Sequence, residues 1–318
     1  MTKSKIIPLA KVTLTIALLS WVVSRTGFEN LVDTLTYNVN FGYLLLAFVL
    51  FQIGLVVRTI RWNMFLVDHQ VRLPFQRLVL LNYSAAFFST FLPTSFGGDI
   101  VRATELNSGN LSVSQSGGIV LLDRLIGLMA LFTICLVALI PGHRQLPIST
   151  TLTLFLICTS GLLAGFVVVQ GRVLTALLEL FNIPGIQVLR KINLAVTETS
   201  YATMFRTWLL SLGYNAMIVT EHFIISQAFK ADVTILHFAM FTPIVALGLL
   251  LPVIQGIGVR EEIYRNLLLQ VGVPAAVGVS IGLGAYSVTL LTGLLGGLIY
   301  VGYTLVNRGQ ISDTSLAR

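Results

Sequence analysis

The chain has 318 residues, of which 10% are charged and 55% belong to the AVILMFWYC set, and its formal net charge is +7. Globular proteins carry roughly 25% charged residues, so this composition, with a mean hydropathy of +0.88, excludes a chain whose main solvent is water. The positive charge does not point to nucleic acid, because Lys and Arg are scattered at segment ends and form no basic stripe with interleaved aromatics; they read as topology signals. Cys135 and Cys158 both fall inside apolar runs, where packed thiols are expected and a disulfide framework is not.

From the N-terminus, Lys3, Lys5 and Lys11 precede the apolar run Val12 to Val23, as in a secretory signal. The bulky stretch Ser20-Trp21-Val22-Val23-Ser24-Arg25 offers no small-x-small cleavage site, so a retained first span is expected at 6–24. Further full spans are expected at about 41–66, 112–140, 149–170, 205–228 and 274–304, each near the roughly 20 apolar residues that a crossing requires. Two other apolar stretches, 78–96 and 236–255, run into Pro and Gly clusters: Leu92-Pro93-Thr94-Ser95-Phe96-Gly97-Gly98 and Leu251-Pro252-Val253-Ile254-Gln255-Gly256-Ile257-Gly258. These are expected to be broken or re-entrant. Irregular backbone at membrane depth needs protein or a wet cavity to satisfy its amides and carbonyls, so both breaks should lie inside the bundle. The connection 171–204 is expected to hold an interfacial helix near Arg172 to Phe181. The fold class is therefore all-α: one polytopic membrane bundle over 1–318, with about six full spans and two broken segments.

The breaks repeat. Pro93 and Pro252 are 252 − 93 = 159 residues apart, each is followed four residues later by Gly97 or Gly256, and Arg102 and Arg260 follow nine and eight residues after the prolines. Each half, 1–148 and 149–318, reads as span, span, broken segment, span. Three crossings per half would invert the second half relative to the first, an architecture in which transport sites lie between repeats. With both termini cytoplasmic, nine Lys or Arg residues fall in inner loops and only Arg25, Arg144 and Lys230 in outer ones. Arg260 and Arg265 depart from this bias unless they face a cavity.

Several ionisable residues are candidates for function. Asp99, Arg102 and Glu105 recur every three residues after Gly97-Gly98, on one face of a helix starting there. Free amides at that start and the Arg102 fork suit a phosphate; the alternative is that Arg102 pairs with Asp99 or Glu105 to anchor the segment. Asp123 and Arg124 lie deep in the span 112–140, where uncompensated charges cost on the order of 2.5 to 3.5 kcal/mol each, so both need partners or water. Arg260 repeats the theme of the first break, whereas Glu261 stands four residues before Arg265 and reads first as half of a helical pair. Glu221 and His222 are candidates for proton coupling, although adjacent residues diverge by about 100° on a helix. Arg58, Arg61 and Trp62 read as an interfacial anchor, with headgroup binding as the second reading. His69, His143, His222 and His237 lack zinc spacing, and no phosphate-binding loop or nucleophile elbow occurs. No catalytic residue, metal or cofactor is expected.

Pro93-Thr94-Ser95-Phe96-Gly97-Gly98-Asp99-Ile100-Val101-Arg102-Ala103, then Leu121-Leu122-Asp123-Arg124-Leu125-Ile126-Gly127-Leu128, then Gly256-Ile257-Gly258-Val259-Arg260-Glu261, resemble the three signature stretches of the flippase-like membrane domain, also called the lysylphosphatidylglycerol synthase transmembrane-region family. The resemblance covers about 8–305. It implies a lipid-handling membrane protein; in the bifunctional synthases of the family a soluble transferase makes the modified lipid, and this chain has no room for that domain before Arg318. The first motif carries Asp99 where members often have Glu. The resulting expectation is a non-enzymatic flippase or carrier of anionic phospholipid or polyprenyl-phosphate lipids in a prokaryotic plasma or inner membrane, with Arg102, Arg124 and Arg260 neutralising the phosphate. An intramembrane lipid-modifying enzyme using Asp99, Glu105 or Asp123 as base is the alternative. So is an accessory scaffold of a cell-envelope pathway, with a homo-oligomer or pathway enzyme as partner and Gly282, Gly284, Gly293, Gly296 and Gly297 as its small-residue surface.

Overall fold

A computed structural model describes residues 3–37, 39–91, 97–106, 113–171, 193–251 and 253–316. Its helices are α1 (Lys3–Thr26), α2 (Phe28–Tyr37), α3 (Phe41–Asp68), α4 (Phe75–Phe91), α5 (Gly97–Leu106), α6 (Val113–Gly142), α7 (Ile148–Val169), α8 (Tyr201–Ala228), α9 (Ile235–Gly248), α10 (Val259–Leu269) and α11 (Ala275–Leu316). A short 3-10 turn, His143–Gln145, joins α6 to α7, and there is no strand among the described residues.

The helices α3 and α8 form the centre, and their ends are built alike. Asn40 caps α3 by accepting from the Gly42 amide, and Ser200 caps α8 by accepting from the Thr203 amide. Each helix stops on a left-handed residue, Gln70 at φ 60° and Lys230 at φ 53°. The following amides, Val71 and Ala231, close back onto Leu66 and Ser226 carbonyls at 2.8 and 3.1 Å, which satisfies carbonyls the helix leaves open. The two helices also cap one another. The Asn40 amide donates to the Ala228 carbonyl at 2.9 Å, and the Ser200 amide donates to Asp68 Oδ2 at 2.9 Å. They therefore run antiparallel with ends in register.

Around this pair, α4 packs on α11 and α6 on α9, while the two short helices after the breaks, α5 and α10, pack on α6 and α11. Among the described residues four helical stretches are long and apolar enough to cross a membrane: Phe41–Asp68, Gln115–Gln145, Ile148–Val169 and Ala275–Leu305. Of the six spans expected from sequence, the remaining two correspond to α1 and α8, which have 24 and 28 residues. Polar groups such as Asn215, Glu221 and His222 lower the hydropathy of α8, yet these three face inward while Tyr201, Phe205 and Leu209 face out. Apolar side chains such as Leu45, Ile53, Ile140, Leu156 and Phe166 also cover the outside, as lipid requires.

One element is added and one expectation changes. The stretch 27–40 carries a helix, α2, which hydropathy hides because Glu29, Asn30, Asp33 and Thr34 line its polar side; Leu31 on the other side packs in a cluster with Val22 and Val279. The five glycines that the scaffold alternative would place at an outer surface instead face protein, the internal-packing role also open to small residues: Gly282 lies against Glu261, Gly284 against Ile225, and Gly293, Gly296 and Gly297 against Thr90, Tyr83 and Phe87 of α4. Small residues there let helices approach closely, which holds a membrane bundle by dispersion where lipid removes most of the hydrophobic drive. Residues 92–96, Pro252 and the expected interfacial helix at 172–181 lie outside the described residues. After the second break, the backbone from 253 to 258 turns through Gln255, Gly256 and Gly258, all at positive φ.

Candidate functional site

Arg58, Arg61 and Trp62 lie at positions i, i+3 and i+4 of α3, on one face. On the next elements, α5 is pressed onto α4 through Gly98. Its amide donates to Ser89 Oγ at 3.0 Å, and any Cβ there would run into the Ala85 carbonyl and Ser89. This contact directs Asp99 and Arg102, one turn apart, toward Asp123 and Arg124 of α6.

The charged groups form an alternating chain. Arg61 Nε donates to Asp123 Oδ1 at 2.7 Å, and Arg102 Nη2 donates to Asp123 Oδ2 at 3.2 Å. Arg102 Nη1 also lies 3.7 Å from Asp99, whose other oxygen is paired with Arg124 Nε. Arg61 Nη1 reaches Ser211 Oγ on α8 at 2.9 Å, and the Arg102 guanidinium sits 4.1 Å from the Trp62 ring centroid. A low-dielectric interior makes each pairing strong and each loss costly, so the chain is a rigid unit.

One side of this chain borders a cavity of about 370 Å³. Arg58, Arg61, Asp99, Asp123 and Arg124 line it, facing Tyr214 of α8, while Gln255 of the second break and Thr289 of α11 close it from the other half. Arg102 stands behind this wall. Arg58 is half-buried and makes no hydrogen bond or ion pair with any described residue. Among the described residues four guanidiniums, Arg58, Arg61, Arg102 and Arg124, therefore stand against two carboxylates, Asp99 and Asp123, and Arg58 feels both at a distance without a hydrogen bond or ion pair to either.

The remaining expected residues gather elsewhere. Arg260, 5% exposed, reaches Thr289 Oγ1 with Nη1 at 3.4 Å and leaves Nε without a partner among the described residues. It thus stands behind the cavity wall of the second half. Glu261 does not pair with Arg265 as its spacing suggests: its Oε2 accepts from the Gly258 amide at 2.7 Å, while Arg265 pairs with Glu262 at 3.4 Å. The first turn of α10 draws the carboxylate to its own free amide. Glu221 and His222 are buried on α8, with His222 packed 5.6 Å from the Tyr264 ring. The side chain of Glu105 lies outside the described residues.

From sequence Arg58 and Arg61 read first as an interfacial anchor, with headgroup binding only second, and they are not among the expected site residues. The anchor assignment fails because Trp62 is fully buried and Arg61 is 4% exposed. The signal was present: two arginines one turn apart inside an apolar helix need an interior partner. Among the described residues no three His, Cys, Asp or Glu converge as a metal site requires.

A family model described as the lysylphosphatidylglycerol synthase TM region matches residues 9–297. A search of curated proteins finds none that matches the chain.

Proposed function

Because the chain belongs to the lysylphosphatidylglycerol synthase TM-region family, a membrane domain of lipid-related proteins, we propose that it is a non-enzymatic carrier of lipids with an anionic phosphate headgroup. The observation that carries this reading is Arg58, a guanidinium on the cavity wall that makes no hydrogen bond or ion pair with a described residue, beside Arg61 and Arg124, which aspartates already hold in place. A phosphate entering the cavity would find the Arg58 fork free to bond it. Charge-assisted bonds of this kind contribute roughly 1.5 to 3 kcal/mol each, while acyl chains stay in the surrounding lipid.

The matched caps and reciprocal contacts of α3 and α8 support an inverted repeat, with the cavity between halves. In this reading the two breaks are re-entrant and both termini are cytoplasmic. The enzymatic alternative has less support, since Asp99 and Asp123 are both engaged by arginines and neither is a free base.

The test is leaflet exchange in vesicles containing the purified protein, with labelled phosphatidylglycerol, a polyprenyl phosphate and phosphatidylcholine in separate arms. Faster exchange of either anionic lipid, with phosphatidylcholine unchanged, is expected; the two anionic arms identify which backbone carries the phosphate. Equal exchange of all three, or none, would overturn the carrier reading.

A further inference from the structure

The second half holds a buried acidic group that the lipid site does not use. Glu221 is 3% exposed and makes no hydrogen bond or ion pair with any described residue. The face of α10 that carries Arg260 meets this end of α8: Tyr264, one turn after Arg260, packs 5.6 Å from the ring of His222, the neighbour of Glu221, and Arg260 is the cation whose charge acts on Glu221. Arg260 is itself under-committed, with one long contact to Thr289 and an unpartnered Nε. Thr289 is a wall residue of the lipid cavity. Arg260 thus stands between this end of α8 and the cavity wall.

We propose that Glu221 is a proton-binding coupling site, whose occupancy decides whether Arg260 is held by the acidic side chains of its own half or turns past Thr289 to meet the lipid phosphate. The proposal rests on the carrier reading above and adds its energy source. A carboxylate without a partner at this depth must take a proton or a cation, or else bear the cost of an isolated charge. A metal ion would need several further oxygen ligands and would stand against the positive charge of Arg260; a proton needs neither. With Glu221 ionised, Arg260 is drawn to it and to Glu261. With Glu221 protonated, one of those two attractions is gone and the lipid phosphate competes for the fork.

The groups around Glu221 can be named element by element. On α10 they are Arg260 and Tyr264, with Glu261 beside Arg260; on α11, Tyr286 faces Arg260; on α8 itself stands His222. At this end α3 contributes only the 41% exposed Tyr43, α9 only His237, whose ring is engaged by Thr234, and α6 is apolar beyond Arg124. Position gives the direction of flow. Glu221 lies near the end of α8 that meets Asn40, on the side opposite the end of α3 that bears Arg61, a separation of about 20 Å at 1.5 Å per residue. If the termini are cytoplasmic, Glu221 takes its proton from outside and delivers it inside as the lipid moves.

The experiment uses the full chain in vesicles with an imposed pH gradient, measuring labelled phosphatidylglycerol and polyprenyl phosphate exchange and internal pH by a trapped dye. In the wild type, a gradient should bias exchange several-fold in one direction, with protons entering alongside lipid. In Glu221→Gln the bias and the proton flux should both vanish while lipid still exchanges downhill; Glu221→Asp, the control for folding, should keep the bias with a displaced pH profile. Wild-type exchange indifferent to the proton gradient, a sodium gradient acting in its place, or an unchanged bias in Glu221→Gln would each overturn the coupling alone. No wild-type exchange at any gradient would overturn the carrier reading and the coupling with it.

Discussion

Arg61 and Glu221 stand at matched places on the two central helices: each is seven residues before its helix end, 68 − 61 on α3 and 228 − 221 on α8, and 160 residues separate them. The next residues, Trp62 and His222, also correspond, and each packs on a residue of its own post-break helix, Trp62 on Arg102 and His222 on Tyr264. The scaffold repeats while the chemistry reverses. One end of the α3–α8 pair carries an arginine bound to Asp123, the other a carboxylate bound to nothing among the described residues.

Arg58 separates binding from stability. Because Arg58 makes no hydrogen bond or ion pair with a described residue and acts on Asp123 only at a distance, Arg58→Gln should change the thermal midpoint little, within about 0.5 kcal/mol, yet weaken anionic-lipid binding roughly 10-fold, the equivalent of one charge-assisted contact. Titration of the purified protein with a short-chain phosphatidic acid measures the second effect and thermal denaturation the first. A stability loss with binding intact would mean that Arg58 serves the fold.

Asp123 should behave in the opposite way. It is shared by Arg61 and Arg102, so Asp123→Asn leaves two buried guanidiniums short of charge and should destabilise by roughly 3 to 5 kcal/mol. The double variant Asp123→Asn with Arg61→Gln should recover part of that loss. Additive losses in the double-mutant cycle would show that the pair is not coupled.

Sidedness can be tested with one matched pair. Arg72 and Asp232, 232 − 72 = 160 residues apart, are exposed just after the ends of α3 and α8. Since α3 and α8 run antiparallel, cysteines placed there should label from opposite sides of the membrane, Arg72→Cys from within and Asp232→Cys from outside. The native Cys135 and Cys158 are buried and contribute little background. Labelling of both from one side would end the inverted-repeat reading.

The sequence revealed the helices well because long apolar segments declare themselves by length, and the two Pro-Gly clusters stood where α4 and α9 give way to α5 and α10. It revealed the site only in part. Arg102, Asp123, Arg124 and Asp99 could be marked as buried charges needing partners, but which carboxylate meets which arginine depends on how α5 lies on α4, a contact set by Gly98 and Ser89. Arg61 was misplaced because an arginine followed by a tryptophan near a helix end has the composition of an interfacial anchor. Only packing shows that α8 covers that face, with Ser211 accepting from Arg61. The α2 helix was hidden for a simpler reason: its single buried stripe is too short to register in hydropathy.

Arg102 tests whether a site residue acts by touch or by position. Its guanidinium is fully buried, over the Trp62 ring at 4.1 Å, and turned to Asp123 and Asp99 behind the cavity wall. Lysine keeps the charge but cannot lie flat on an indole while reaching two carboxylates. Arg102→Lys should therefore destabilise by roughly 2 to 4 kcal/mol, from the desolvated cation–π contact and one charge-assisted hydrogen bond. Loss of lipid binding should follow only to the extent that Asp123 and Asp99 shift. A cycle pairing Arg102→Lys with Trp62→Leu should show coupling on the order of 1 kcal/mol or more, because the two side chains form one contact. Binding lost at unchanged thermal midpoint would give the contrary result: Arg102 would then reach the phosphate itself, and the wall that separates it from the cavity would have to open during transport.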